Sequence, residues 1–157
     1  MRVSVQEADF DVGAETEALA AGRADVGAVA SFVGYVRADK LAGESAEDQA
    51  VSAMTLEHYP GMTEKSLEAI VAEAESRWSL LGVRVIHRFG RLVPGDRIVF
   101  VGVAGSHRGE AFAACEFIMD YLKTRAPFWK KEDTPEGGRW VDAREADDAA
   151  AEKWGQA

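Results

Sequence analysis

Residues 83–104, VRVIHRFGRLVPGDRIVFVGVA, decide the fold class. Two β-branched runs, Val83 to Leu92 and Arg97 to Ala104, flank Pro94-Gly95-Asp96. In such a turn the proline presets φ and the glycine tolerates a left-handed backbone, so the stretch predicts a β-hairpin. Immediately downstream, Ala111, Ala114, Cys115, Ile118 and Leu122 recur at helical spacing between Gly109 and Arg125, and Pro127 stops the helix. Upstream, Leu67, Ile70, Val71, Ala74 and Trp78 form the apolar stripe of a helix over Glu64 to Trp78, with Thr63 as its N-cap.

Farther out, Arg2 to Gln6 alternates as a strand, Ala14 to Ala21 reads as a helix, and Val26 to Arg37 as a long strand closed by Arg37. Residues 38–50 are small, polar and charged without a period, and read as a mobile loop. Val51 to His58 is a further strand, 135–138 a turn, Arg139 to Asp142 a short strand and Arg144 to Trp154 a terminal helix. Helices and strands interleave irregularly around a hairpin, which predicts a mainly antiparallel α+β fold. At 157 residues the chain, 1–157, is read as a single domain.

The 18 Lys and Arg against 27 Asp and Glu leave a net charge of −9, which argues against a nucleic-acid coating protein. That charge is unevenly spread. Residues 84–131 hold nine bases and four acids, whereas 1–83 hold six and fifteen, and 132–157 three and eight. A basic third in an acidic chain suits a small anion, or simply pairs with acids from the other two blocks. No apolar run is long enough for a membrane span, the N-terminus lacks a secretion pattern, and the only cysteine is Cys115. These features predict a soluble, cytoplasmic protein without disulfides or membrane contact. Cys115 falls on an apolar stripe, as a buried structural thiol does.

Phosphate-loop, dinucleotide, zinc-protease and serine-hydrolase motifs are absent, and His58, His87 and His107 lack the spacing of a metal site. What remains is Ser106-His107-Arg108 before the long helix and KTRAPFWKK, 123–131, after it. His107 and Arg108 sit where free helix N–H groups, the helix dipole and side-chain cations converge, the outline of an anion pocket, although the pair by itself better suits a solvated arginine at a helix start and a satisfied loop histidine. Lys123 and Lys130 flank a Pro-Phe-Trp corner that could turn both ammonium groups into one cleft walled by Phe128 and Trp129. A lysine partly desolvated among cations becomes a nucleophile or proton carrier near neutrality. Spacing alone equally allows surface lysines around a core Phe-Trp pair.

Five ordered blocks, LEHYPGMTEK (56–65), HRFGRLVPGDRIVFVGV (87–103), SHRGEAF (106–112), FIMDYLKTRAPFWKKE (117–132) and RWVDARE (139–145), resemble the large, catalytic subunit family of molybdopterin synthase. The resemblance implies an α/β hammerhead fold with a small additional β-subdomain. It also implies sulfur transfer from the thiocarboxylated Gly-Gly C-terminus of a small ubiquitin-like carrier subunit to cyclic pyranopterin monophosphate, forming the dithiolene of molybdopterin. Two catalytic subunits would form a central homodimer within a heterotetramer, with no metal or organic cofactor. By position, the family's essential lysine falls on Lys123 and its second lysine on Lys130, with Arg37, His107 and Arg108 as substrate-binding cations. Lys131 stands where the family often has arginine and is given no role. A competing reading from another class is a non-catalytic scaffold that holds an anionic tail in the same basic cleft.

Overall fold

The structure is a computed structural model that describes residues 2–38, 53–134, 137–141 and 145–155. Its elements in chain order are β1 (Val3–Gln6), α1 (Val12–Ala18), β2 (Ala28–Tyr35), β3 (Ala53–His58), α2 (Met62–Arg77), β4 (Leu80–Arg88), β5 (Gly90–Leu92), β6 (Arg97–Gly105), α3 (Arg108–Arg125), β7 (Phe128–Thr134), β8 (Gly137–Val141) and α4 (Glu145–Gly155). They form two four-stranded sheets, ordered β1-β4-β6-β2 and β5-β3-β7-β8. Among the described residues only the β1–β4 pairing is parallel, so the α+β, mainly antiparallel expectation holds.

The apolar run of β6 is explained by burial on both faces of the first sheet. Val99, Val101 and Val103 point to one side, where Leu67, Ile70 and Val71 of α2 and Ala114, Phe117 and Ile118 of α3 complete the main core. Phe100 points to the other side and packs with Ile86 and Phe10. The stripes read from the helical period are the stripes that are buried. Beyond α2, Trp78 meets Phe117 and Trp154 edge to face, with centroids 5.4 and 5.7 Å away. Trp154 Nε1 donates to Asp120 at 2.7 Å, which fastens α4 to α3.

Three expectations need correction. The strand read over Val83 to Leu92 is two strands in different sheets. Gly90, at φ +90°, lets the chain leave β4, which pairs with β6, and enter β5, which pairs with β3. The N-cap of α2 is Gly61 rather than Thr63, whose hydroxyl instead reaches backbone at both ends of a buried bridge described below. The Phe128–Lys131 corner is the start of a strand, β7, because β3 supplies six backbone partners from Ala53 to His58. The loop read at 38–50 lies, from 39 onward, outside the described residues. Among those described, no helix is long and apolar enough to cross a membrane.

Candidate active site

Every functional candidate is set by one end or the other of β6 and α3. At the β6–α3 junction, Gly27 N–H donates to the Gly105 carbonyl at 3.0 Å, and a Cβ on Gly27 would stand 2.0 Å from the Ser106 carbonyl oxygen. That close backbone contact holds the connection from which His107, the N-cap residue of α3, and Arg108 project. Both side chains are exposed. The His107 Nδ1 lies 3.9 Å from Glu110 Oε1, a loose ion pair when the ring is protonated.

The other end of α3 carries Lys123 and Arg125. Arg125 is committed to structure: it pairs with Glu73 at 3.2 Å and lies over the Tyr121 ring at 3.8 Å. Lys123 is exposed. The helix stops as Ala126 turns extended, and the Pro127 carbonyl then accepts a hydrogen bond from the Thr63 hydroxyl at 3.1 Å, while that hydroxyl accepts from Tyr59 N–H at 3.0 Å. Phe128 follows and stacks on the buried imidazole of His87, centroids 3.8 Å apart and planes at 21°.

Register places the rest. In β7 the side chains alternate, so Phe128 and Lys130 share a face with His58 and Leu56, their partners in β3. Leu56 is buried in a small core with Val36, Met54 and Leu92. That face therefore looks inward, toward this small core and His87 of β4, and Lys130 is half-buried on it. Trp129 belongs to the opposite face and is 48% exposed, so only Phe128 of the two aromatics lines the inner side. Arg37 stands one residue past Val36. Reciprocal bonds, Val36 N–H to the Asp96 carbonyl at 2.9 Å and Gly95 N–H to the Val36 carbonyl at 2.8 Å, anchor it to the 93–96 turn.

Arg37 thus lies beside the turn that precedes β6, and Lys123 and Lys130 lie on either side of the α3–β7 corner, where the charge of Lys123 acts on His87, the ring on which Phe128 stacks. His107 and Arg108 do not join them. Sixteen residues of helix separate His107 from Lys123, ~24 Å at 1.5 Å per residue.

His87 and His58 escaped the sequence reading, which weighed them only as metal ligands. Their signal was positional, since His87 near the end of β4 and Phe89 just past it are two residues apart. Burial pushes the His87 imidazole down to about 3, with the nearby charges of Lys123 and His58 acting the same way and its contact with the Arg88 backbone opposing them. It is a neutral ring at physiological pH. Burial pushes the Cys115 thiol up to about 11, and its sulfur faces the Val101 carbonyl at 3.7 Å, so it is a packed side chain and no nucleophile.

The family profile described as MoaE protein matches residues 5–125. The chain belongs to that family. It is 61% identical over 153 residues to a molybdopterin synthase catalytic subunit of Ralstonia nicotianae, covering 98% of this chain and 84% of the relative. A protein of the same name from Pseudomonas aeruginosa is 57% identical over 154 residues, covering 98% and 99%. A solved structure of a molybdopterin biosynthesis MoaE protein from Burkholderia ambifaria superimposes with a TM-score of 0.81 at 56% identity, covering 98% of this chain and 97% of the other.

Proposed function

We propose that this MoaE-family chain is the catalytic subunit of a molybdopterin synthase. It moves sulfur from the thiocarboxylated Gly-Gly terminus of a small ubiquitin-like carrier to cyclic pyranopterin monophosphate, forming the dithiolene. The observation that carries the reading is the 61% identity over 153 residues to a catalytic subunit of that name, and the placement of Lys123 and Lys130 on either side of the α3–β7 corner supports it.

The chemistry follows from charge. The pterin phosphate and the thiocarboxylate are both anions, and bringing them together is opposed by repulsion that fixed cations offset while orienting the pair. Lys123 serves the reacting centre, either protonating the departing oxygen or forming a transient covalent bond, and Lys130 holds the tail or the intermediate. Arg37, His107 and Arg108 take the phosphate through charge-assisted hydrogen bonds. Phe128 forms one wall of the narrow tail channel.

Because one protomer keeps His107 and Arg108 ~24 Å from Lys123, the complete pocket takes them from a second copy. Phe112, one turn after Arg108, and Phe32 on the edge strand β2 are 65% and 41% exposed, large apolar side chains that suit the interface of a two-fold homodimer. Such symmetry builds two equivalent pockets and leaves the second sheet of each copy to receive one carrier, giving a heterotetramer. The second sheet corresponds to the small β-subdomain of a single hammerhead domain spanning 1–157, working in the cytoplasm without a metal or organic cofactor.

The test mixes the purified chain with thiocarboxylated carrier and the cyclic pterin and assays the dithiolene product. Lys123→Ala is expected to abolish product while still binding carrier. Absence of product with the wild-type chain, together with an ordinary lysine pKa at position 123, favours the tail-binding scaffold instead, and full activity of the variant would remove Lys123 from the reacting centre.

A further inference from the structure

Among the described residues, two polar side chains are fully buried, Thr63 at 0% and His87 at 4% exposure, and both act on the same short corner. Thr63 holds the Pro127 carbonyl, and His87 holds the Phe128 ring. Burying polar groups is unfavourable unless each finds a partner, so two of them converging on adjacent residues is a costly arrangement. The corner they fix joins Lys123 to Lys130.

We propose that His87 is a positioning residue of the sulfur-transfer site: clamped between the Arg88 carbonyl and the Phe128 face, its ring sets the placement of Lys130 relative to Lys123. This rests on the function proposed above. The Nδ1 lies 2.8 Å from the Arg88 carbonyl oxygen, which only accepts, so Nδ1 carries the proton of the neutral ring and its rotation is fixed. The stack then joins β4 of the first sheet to β7 of the second. A neighbouring pair, His58 against Phe89 at 4.2 Å, repeats the contact in reverse, the histidine coming from the second sheet and the phenylalanine from the first chain segment after β4. Phe128 and Lys130 are two residues apart on one strand face, so a shift of the stacked ring moves Lys130 with it. Lys123 is near enough to oppose protonation of His87, which places the imidazole under the reacting end of α3. With its titration far below neutrality, the ring is not a proton carrier during turnover, and its contribution is geometry.

The experiment measures kcat and KM for thiocarboxylated carrier in wild type, H87A, F128A, the double variant, H87F and K123A, with thermal melts of each. A misplacement of about 1 Å costs on the order of a hundredfold in rate, so H87A and F128A should lose roughly tenfold to a hundredfold in kcat with KM little changed. The double variant should be no slower than the slower single variant, because both remove one contact. H87F, which keeps a ring on Phe128, should recover most of the rate. Wild-type kcat in H87A, losses that multiply in the double variant, or an H87F no faster than a folded H87A would overturn the role. Should H87A melt below the assay temperature, F128A and H87F decide by the same criteria. An inactive wild type would instead strike at the proposed function, and an inactive K123A beside a fully active F128A at the positioning role alone.

Discussion

Lys123 and His107 stand at opposite ends of α3, one in its last turn and the other capping its first. No rotamer of either side chain spans a helix of that length, so any reaction needing both draws them from two chains. The β6 strand repeats the separation, with Arg37 beside its first residue and His107 just past its last. The candidate cations therefore divide into a set of three and a set of two, and in the proposed site each protomer supplies half a pocket at each end.

Subunit mixing checks this division. Homodimers of K123A and homodimers of a H107A/R108A chain should each be inactive. Co-expressed, half of the dimers formed by random assortment are mixed, and one pocket in each mixed dimer is intact, so about a quarter of wild-type activity should return. No recovery in isolated mixed dimers would place the whole pocket within one chain.

His87 ties stability to pH with a definite sign. The unfolded chain takes up a proton on this side chain below its ordinary value of 6.5, whereas the folded chain refuses it until about 3. Stability is thus complete above pH 6.5 and lost as pH falls toward 3, by up to about 1.4 kcal/mol per pH unit. Asp9, which its Arg97 partner holds below the usual carboxylate value of 3.8, loses its contribution only under more acidic conditions. Between pH 6.5 and 4 the melting temperature of H87F should therefore fall less steeply than that of the wild type. Parallel curves would show that the imidazole is solvated in the folded chain.

Helices α2 and α3 were legible because each repeats its apolar residues at the helical period and packing follows that period, and β6 because its β-branched run is buried on both faces. The strand β7 was not legible: FWKKEDT is charged and short of β-branched residues, and it is a strand because β3 pairs with it from a point some seventy residues earlier. The split at Gly90 was hidden for the same reason, since only the presence of a second sheet gives the chain somewhere to turn. Among site residues, the chemistry of Lys123, Lys130, Arg37, His107 and Arg108 could be read from type and motif. The distance between the two groups was also present in the count from 107 to 123 along a single helix. The inward or outward sense of Trp129 and Lys130 required the register with β3, and His87 required its stacking partner.

Thr63 is a sensitive point of the same corner. Thr63→Val keeps the volume and removes a hydroxyl that serves both Tyr59 and Pro127. Two backbone groups lose a partner at a buried position, at about 1–3 kcal/mol for each that stays unsatisfied. Denaturant unfolding should show a loss of that order, and Thr63→Ser, which keeps the hydroxyl, should show much less. Equal losses in the two variants would mean that the methyl group, and not the bridge, carries the effect.

Gly27 performs the matching task at the far end. Its missing Cβ is what allows the strand start to approach the Ser106 carbonyl, because a methyl group there would lie 2.0 Å from that oxygen. Neither party is a flexible side-chain tip, so Gly27→Ala must push the 105–107 backbone away and weaken the bond from Gly27 N–H to the Gly105 carbonyl. Overpacking of this kind costs roughly 1–3 kcal/mol. The displacement falls on His107 and Arg108 and leaves Lys123 and Lys130 untouched, so the variant should raise KM for the cyclic pterin while carrier binding stays unchanged. In the mixing experiment it should behave like the H107A/R108A chain and be complemented by K123A. Complementation by H107A/R108A instead would assign the defect to the lysine end and contradict the placement of the phosphate at the start of α3.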